Sequence, residues 1–209
     1  MLTLDLFDYQ LPKENIAQVP ADPRDSSRLL VLNRDTGSIQ DSVFSHIGEY
    51  LPKNALIVRN NTKVIPARLY GNKTTGGAVE LLLTKRVAED TWQCLTKPGL
   101  KEGQTVTFAG TQLTATCTAL VDTTRHITFS HTGSDFFSIL NDIGSTPIPP
   151  YITWNDDDSE KLKRVYQTTY AKIAGSAAAP TAGLHFTQDV DASLKALGIE
   201  IAEVTLHVG

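Results

Sequence analysis

One stretch gathers permissive backbone and proton-transfer chemistry: Ala177-Ala178-Ala179-Pro180-Thr181-Ala182-Gly183-Leu184-His185-Phe186-Thr187. Its alanines, proline and glycine carry little bulk, so another molecule could approach the backbone closely. Gly183 can take a positive φ at no steric cost, and Pro180 stiffens the entry. The stretch then supplies an imidazole, His185, and a hydroxyl, Thr187, ahead of an apolar run at helical spacing: Val190, Leu194 and Leu197. Thr187 therefore reads as an N-cap, and the free N–H groups of a helix start suit a carboxylate or phosphate. An ordinary Ala/Gly packing turn is the competing reading.

Two further segments carry polar groups in usable patterns. In Pro23-Arg24-Asp25-Ser26-Ser27-Arg28, two guanidiniums bracket an aspartate and two hydroxyls. Such an arrangement can bind an anion or tie its own loop with hydrogen bonds. Tyr166-Gln167-Thr168-Thr169-Tyr170-Ala171 offers two phenols and an amide, able to meet a base edge or to pack on a sheet.

The elements that must position these residues follow from patterning. Leu29-Leu30-Val31-Leu32 and Ala55-Leu56-Ile57-Val58 read as buried strands, and Phe44, Ile47 and Leu51 have helical spacing ending at Pro52. From Ala67 to Ser130 no helical period survives. Val79–Thr84, Trp92–Leu95, Thr105–Phe108, Leu113–Leu120 and His126–Phe129 alternate with turns, the pattern of a small antiparallel barrel. A short helix over Phe136–Ile143 closes that region. The reading is an α/β domain, 1–59 plus 148–209, with an inserted β-barrel domain over 60–147. In Asp156-Asp157-Asp158-Ser159 the carboxylates are consecutive, which suits a solvated acidic loop able to cap the following helix and not a calcium loop.

Composition bounds the class. The chain has 209 residues, 41% hydrophobic and 20% charged, with a net charge of −4. No apolar run is long enough to span a membrane, and the start of the chain lacks a signal-peptide pattern. Cys94 and Cys117 are isolated, which excludes a disulfide framework or zinc site and predicts a cytoplasmic protein. Arg59, Lys63, Arg68, Lys73, Lys85 and Arg86 face only Glu80 in sequence, against an acidic remainder. Such a patch suits a local phosphate contact or a solvated strand face, but not general coating of nucleic acid.

The motif set resembles one family. Ala178-Ala179-Pro180-Thr181-Ala182-Gly183-Leu184-His185-Phe186-Thr187 with Val204-Thr205-Leu206-His207-Val208-Gly209 is similar to the S-adenosylmethionine:tRNA ribosyltransferase-isomerases of queuosine biosynthesis. Pro23–Leu32, Val64-Ile65-Pro66-Ala67-Arg68-Leu69, Pro149-Pro150-Tyr151-Ile152 and Tyr166–Ala171 match it in the same order. The resemblance implies an α/β domain with a β-barrel, and an enzyme that transfers and isomerises the ribosyl part of S-adenosylmethionine. The acceptor would be the aminomethyl-deazaguanine at the tRNA wobble position; the product is epoxyqueuosine, with adenine and methionine released. S-adenosylmethionine is then a consumed co-substrate. No cofactor, metal or membrane is expected, and the chain is taken as a monomer.

That reaction needs proton transfer, so His185 is the first candidate and His207 the second, with a structural imidazole as the rival for His207. Arg24, Arg28 and Arg68 are candidates for tRNA phosphate or the methionine carboxylate. The matched motifs add Ser26, Ser27, Tyr166, Gln167, Thr168, Pro180, Thr181, Ala182, Gly183 and Thr187 as substrate-binding candidates. The sequence departs from the family at Asn60-Asn61-Thr62-Lys63, where the family has Asn-Asp-Thr-Arg. Asn61 loses the charge, and Lys63 loses the bidentate fork. The sequence also stops inside its last matched motif, so a chain truncated relative to the family, with an incomplete α/β domain, is expected. A non-catalytic RNA- or ligand-binding remnant of the family is the alternative function.

Overall fold

Six strands close on themselves in the middle of the chain. The computed structural model describes residues 3–154 and 158–209. The strands are β5 (Arg68–Lys73), β6 (Ala78–Arg86), β7 (Thr91–Lys97), β8 (Thr105–Thr107), β9 (Thr114–Val121) and β10 (Thr124–Phe129). Their order around the barrel is β10-β7-β6-β5-β8-β9, every pair antiparallel, with β9 closing on β10. Alternation along β6 sends Val79, Leu81 and Leu83 inward, where they meet Trp92, Cys94, Val106, Ala115, Cys117 and Ile127. Fully burying a Leu or Ile side chain contributes about 1.5–3 kcal/mol, so this interior dominates the region's stability. The helix α1 (Gly133–Ile143) plugs one end with Phe136 and Leu140. The expected barrel is present. Its strand over Arg68–Lys73, which the apolar runs do not single out, completes the closure.

Before the barrel come β1 (Arg28–Leu32), β2 (Ile39–Val43), β3 (Leu56–Asn60) and β4 (Thr62–Val64). After it come β11 (Ile173–Ser176) and β12 (Glu200–Val204). β1 and β2 form an antiparallel hairpin, while β3 pairs parallel with β12 and β4 parallel with β11. Helices α2 (Ser159–Val165) and α3 (Gln188–Ala196) complete a mixed α/β arrangement. A second core joins Phe44, Tyr170, Phe186, Val190, Leu194 and Ile199, with Leu29, Ile57 and Ile201 packed against it. The opposite faces of β1 and β3 are open: Leu30, Leu32, Leu56 and Val58 are exposed.

The Phe44–Tyr50 segment is a 3-10 helix, not the α-helix its spacing suggests. A period of three still puts Phe44 and Ile47 on one face, toward the second core. Caps follow the sequence reading. Thr187 Oγ1 accepts from Val190 N at 3.2 Å, and Asp158 Oδ1 accepts from Lys161 N at 3.1 Å. Asp156 and Asp157 lie outside the described residues. Among those described, no helix is long and apolar enough to cross a membrane.

Candidate active site

The short-residue loop and the Pro20–Arg28 segment, about 160 residues apart in sequence, are tied at two points. His185 Nδ1 lies 3.0 Å from Ser27 Oγ, and Thr187 Oγ1 donates to Asp25 Oδ2 at 2.9 Å. Ser27 spends its one hydroxyl proton on Arg24 O at 2.7 Å. Its oxygen can therefore only accept from His185, so Nδ1 carries a proton, and in the neutral ring Nε2 is the acceptor. The ring packs against Phe44, centroids 5.3 Å apart, which limits its rotation. His185 and Ser27 line a cavity of about 100 Å³ with Pro20, Arg24 and Leu184. An apolar pocket of about 250 Å³, which includes Tyr166 and Thr181, adjoins it through Pro20, Val165 and Leu184.

Arg24 serves as a clamp. Its guanidinium donates to Arg164 O at 2.9 Å and to Gln167 O, and lies 3.5 Å from Leu184 O. The cation thus holds carbonyls at and just beyond the C-terminus of α2 against the site loop, a favourable end for positive charge. Burial lowers its pKa from the ordinary arginine value. Ser26 Oγ donates to Pro23 O at 2.7 Å, which tightens the same turn. Arg28 points to solvent on β1 and pairs with Asp41 at 3.3 Å.

The structure disperses several other candidates. His207 Nδ1 lies 2.8 Å from Thr62 Oγ1, and its ring covers Gly175, where a Cβ would sit 2.8 Å from the imidazole. His207 does not line the His185 cavity. The Gln167 amide completes a strand edge, donating to Val64 O at 2.7 Å and accepting from Val64 N at 3.0 Å. Thr168 is buried with its hydroxyl unpartnered among the described residues. Burial raises the pKa of the Tyr166 phenol, with the Ala179 backbone opposing more weakly. Pro180 is half-buried and Ala182 exposed at the start of the loop's 3-10 turn. Gly183 does not use a positive φ. A Cβ there would overlap the Tyr170 hydroxyl, so the residue is small because its own protein packs against it.

The basic cluster also separates. Arg59 is internal: its Nη1 meets both carboxylate oxygens of Asp191 at 2.9 Å, and its Nη2 lies 3.2 Å from Glu203. The same guanidinium stacks 3.8 Å from the centroid of Tyr170. Arg68 Nε lies 3.1 Å from Glu80, an ion-pair distance without hydrogen-bond alignment. Arg86 caps the carbonyls of Ala88 and Glu89. In sequence Asp25 shows only its bracketing arginines, and the arrangement around Arg59, Tyr170, Asp191 and Glu203 has no local sequence signal.

Among solved structures, the chain is similar to an S-adenosylmethionine tRNA ribosyltransferase from Thermotoga maritima, with 35% identity over 97% of this chain and 58% of that one, at a TM-score of 0.39. The chain thus spans less than two thirds of that relative's length. The family model for Queuosine biosynthesis protein matches residues 4–209. A match of that extent shows that the chain belongs to the queuosine biosynthesis protein family.

Proposed function

We propose that the chain carries the proton-transfer site of an S-adenosylmethionine:tRNA ribosyltransferase-isomerase that makes epoxyqueuosine. Substrates would be S-adenosylmethionine and a tRNA bearing the aminomethyl-deazaguanine wobble base, acting in the cytoplasm. One observation carries the reading: the His185 tautomer is fixed by Ser27, whose only proton goes to Arg24 O. In the neutral ring that leaves Nε2 unprotonated, the form of imidazole a proton-abstraction step requires, and His185 lines a cavity. The sulfonium acidifies the adjacent ribose carbon. In this reading Nε2 takes that proton, and the resulting imidazolium can return it to the departing adenine. The base amine, neutral when it attacks, becomes the attachment point of the rearranged ring, and methionine leaves with the sulfur.

Thr187, Asp25 and Arg24 act here by holding the two loops together, and the apolar pocket with Tyr166 and Thr181 takes the uncharged part of the ligand. His207 in this reading is a structural imidazole on Thr62. The test is His185→Gln, which keeps hydrogen bonding and removes ionisation near neutral pH. Single-turnover adenine release from S-adenosylmethionine with precursor tRNA should fall by roughly 10²–10⁴-fold while affinity changes little. A near-normal rate would remove His185 from the chemistry.

A further inference from the structure

A groove runs along α2, separate from the cavity that His185 lines. One section, about 630 Å³, runs between the end of α1 and α2 and is lined by Arg68, Tyr70, Trp154 and Lys163. A second section, about 420 Å³, continues past Lys63 and Arg164. The two share Asn141, Thr146 and Lys163 in their walls, so they lie side by side.

Its chemistry is mixed in a particular way. Four cations line it: Arg68 beside Glu80, Lys163 held by Glu160 at 2.8 Å, and Lys63 and Arg164 with no side-chain partner among the described residues. Among the described residues the facing acids are Asp142, Glu160 and the Glu80 beside Arg68, three against four cations. Two aromatic side chains share the first section. Tyr70 is exposed on β5, and half-buried Trp154 anchors its indole N–H to Asp158 O at 3.2 Å. Trp154 also lines the apolar pocket that adjoins the His185 cavity, so the indole stands between the groove and the candidate active site.

Aromatic faces spaced along a cationic channel suit unpaired nucleotides, whose bases stack while their phosphates meet the cations. A duplex keeps its bases stacked inside and cannot use the indole. We propose that this groove is the track for a single-stranded RNA segment, with Trp154 and Tyr70 as stacking platforms and Lys63, Lys163, Arg164 and Arg68 along the phosphates. The proposal rests on tRNA being the substrate and adds where its unpaired loop lies. Trp154 is then positioned to stack a base beside the entrance to the His185 side.

The chain has two tryptophans, and Trp92 is 1% exposed inside the barrel, so emission changes on RNA binding report Trp154. The probe is a short RNA hairpin with an unpaired loop, titrated into the full chain, with the same strand annealed to its complement as the comparison. The hairpin should quench emission and the duplex should not. Trp154→Phe should abolish the quench with affinity kept within about threefold, and Trp154→Ala should weaken binding roughly tenfold or more. Lys63→Glu and Arg164→Glu should each lower the log–log salt slope by about one. A hairpin that binds with unchanged emission, and equally well to all four variants, overturns the groove and leaves the tRNA reading standing. Failure of both the hairpin and intact tRNA to bind the unaltered chain at low salt would remove the groove and the tRNA reading together.

Discussion

Asn61 Nδ2 donates to Glu203 Oε2 at 3.2 Å, while its Oδ1 accepts from Thr205 Oγ1 at 2.7 Å. The amide therefore uses both ends, one as a donor to a carboxylate that already has Arg59 and Lys172 as partners. Aspartate, the residue suggested by the family resemblance, would place a second carboxylate against Glu203 without the donor. Asn61→Asp should destabilise the fold by about 1 kcal/mol at neutral pH. Repulsion requires both groups ionised, so part of the cost should disappear as pH falls into the carboxylate range. Urea midpoints at neutral and acid pH check this, and an equal loss at both would reject the repulsion.

Glu203 should contribute to acid sensitivity. The Lys172 hydrogen bond is the largest effect lowering its pKa, Asn61 and Arg59 act the same way, and burial opposes them. A depressed carboxylate pKa stabilises the folded state above the unfolded value, near 4.3 for glutamate, and that contribution is lost as pH falls through the folded value. Because the Glu203 side chain keeps 20% exposure, solvent screening limits the effect. Glu203→Gln should lower stability at neutral pH and flatten its fall below about pH 4.5. An unchanged acid slope would show that other carboxylates set it.

In the proposed reading Ser27 positions the His185 ring rather than touching substrate. Ser27→Ala removes the acceptor of the His185 Nδ1 proton, so the ring is free to present the wrong tautomer. Adenine release should fall by about tenfold in kcat with KM nearly constant, and the pH–rate profile should shift. Ser27→Thr, which retains the hydroxyl, should restore most of the rate. A loss confined to KM would make Ser27 a binding group instead.

Gly183 tests the packing account. Gly183→Ala should cost about 1–3 kcal/mol, because the new methyl overlaps the Tyr170 hydroxyl. Tyr170→Phe removes that oxygen, so the double variant should be less damaged than the two single losses added together. Additive losses in urea unfolding would mean that the contact is not the cause.

What could be read in the sequence was local. Val79, Leu81 and Leu83 alternate over a few residues, and Thr187 stands three residues from the N–H it caps. Both signals lie within one element. The roles that local pattern left open involve partners far along the chain. Gln167 offers its amide to a backbone 103 residues earlier, and Arg59 finds its acids 132 and 144 residues later, so neither has a nearby residue to announce its role. Gly183 shows the same limit. The sequence shows that bulk is missing there, but only the fold shows that Tyr170 fills the space. In sequence the site's central pair, His185 and Ser27, reads as two separate candidates because each motif has its own pattern. Their contact crosses 158 residues.

The parallel pairing of β3 with β12 has a kinetic consequence. Arg59 stands opposite Glu203, so this ladder closes a loop of 144 residues, whereas the barrel strands pair mostly with sequence neighbours. Loop closure is entropically costly before contacts reward it, and topologies rich in distant pairings fold slowly. The barrel should condense first and gather the intervening chain into a compact spacer. β12 then docks on β3, carrying Glu203 to Arg59. The ladder should therefore assemble late in refolding, after most of the barrel's apolar surface has left water.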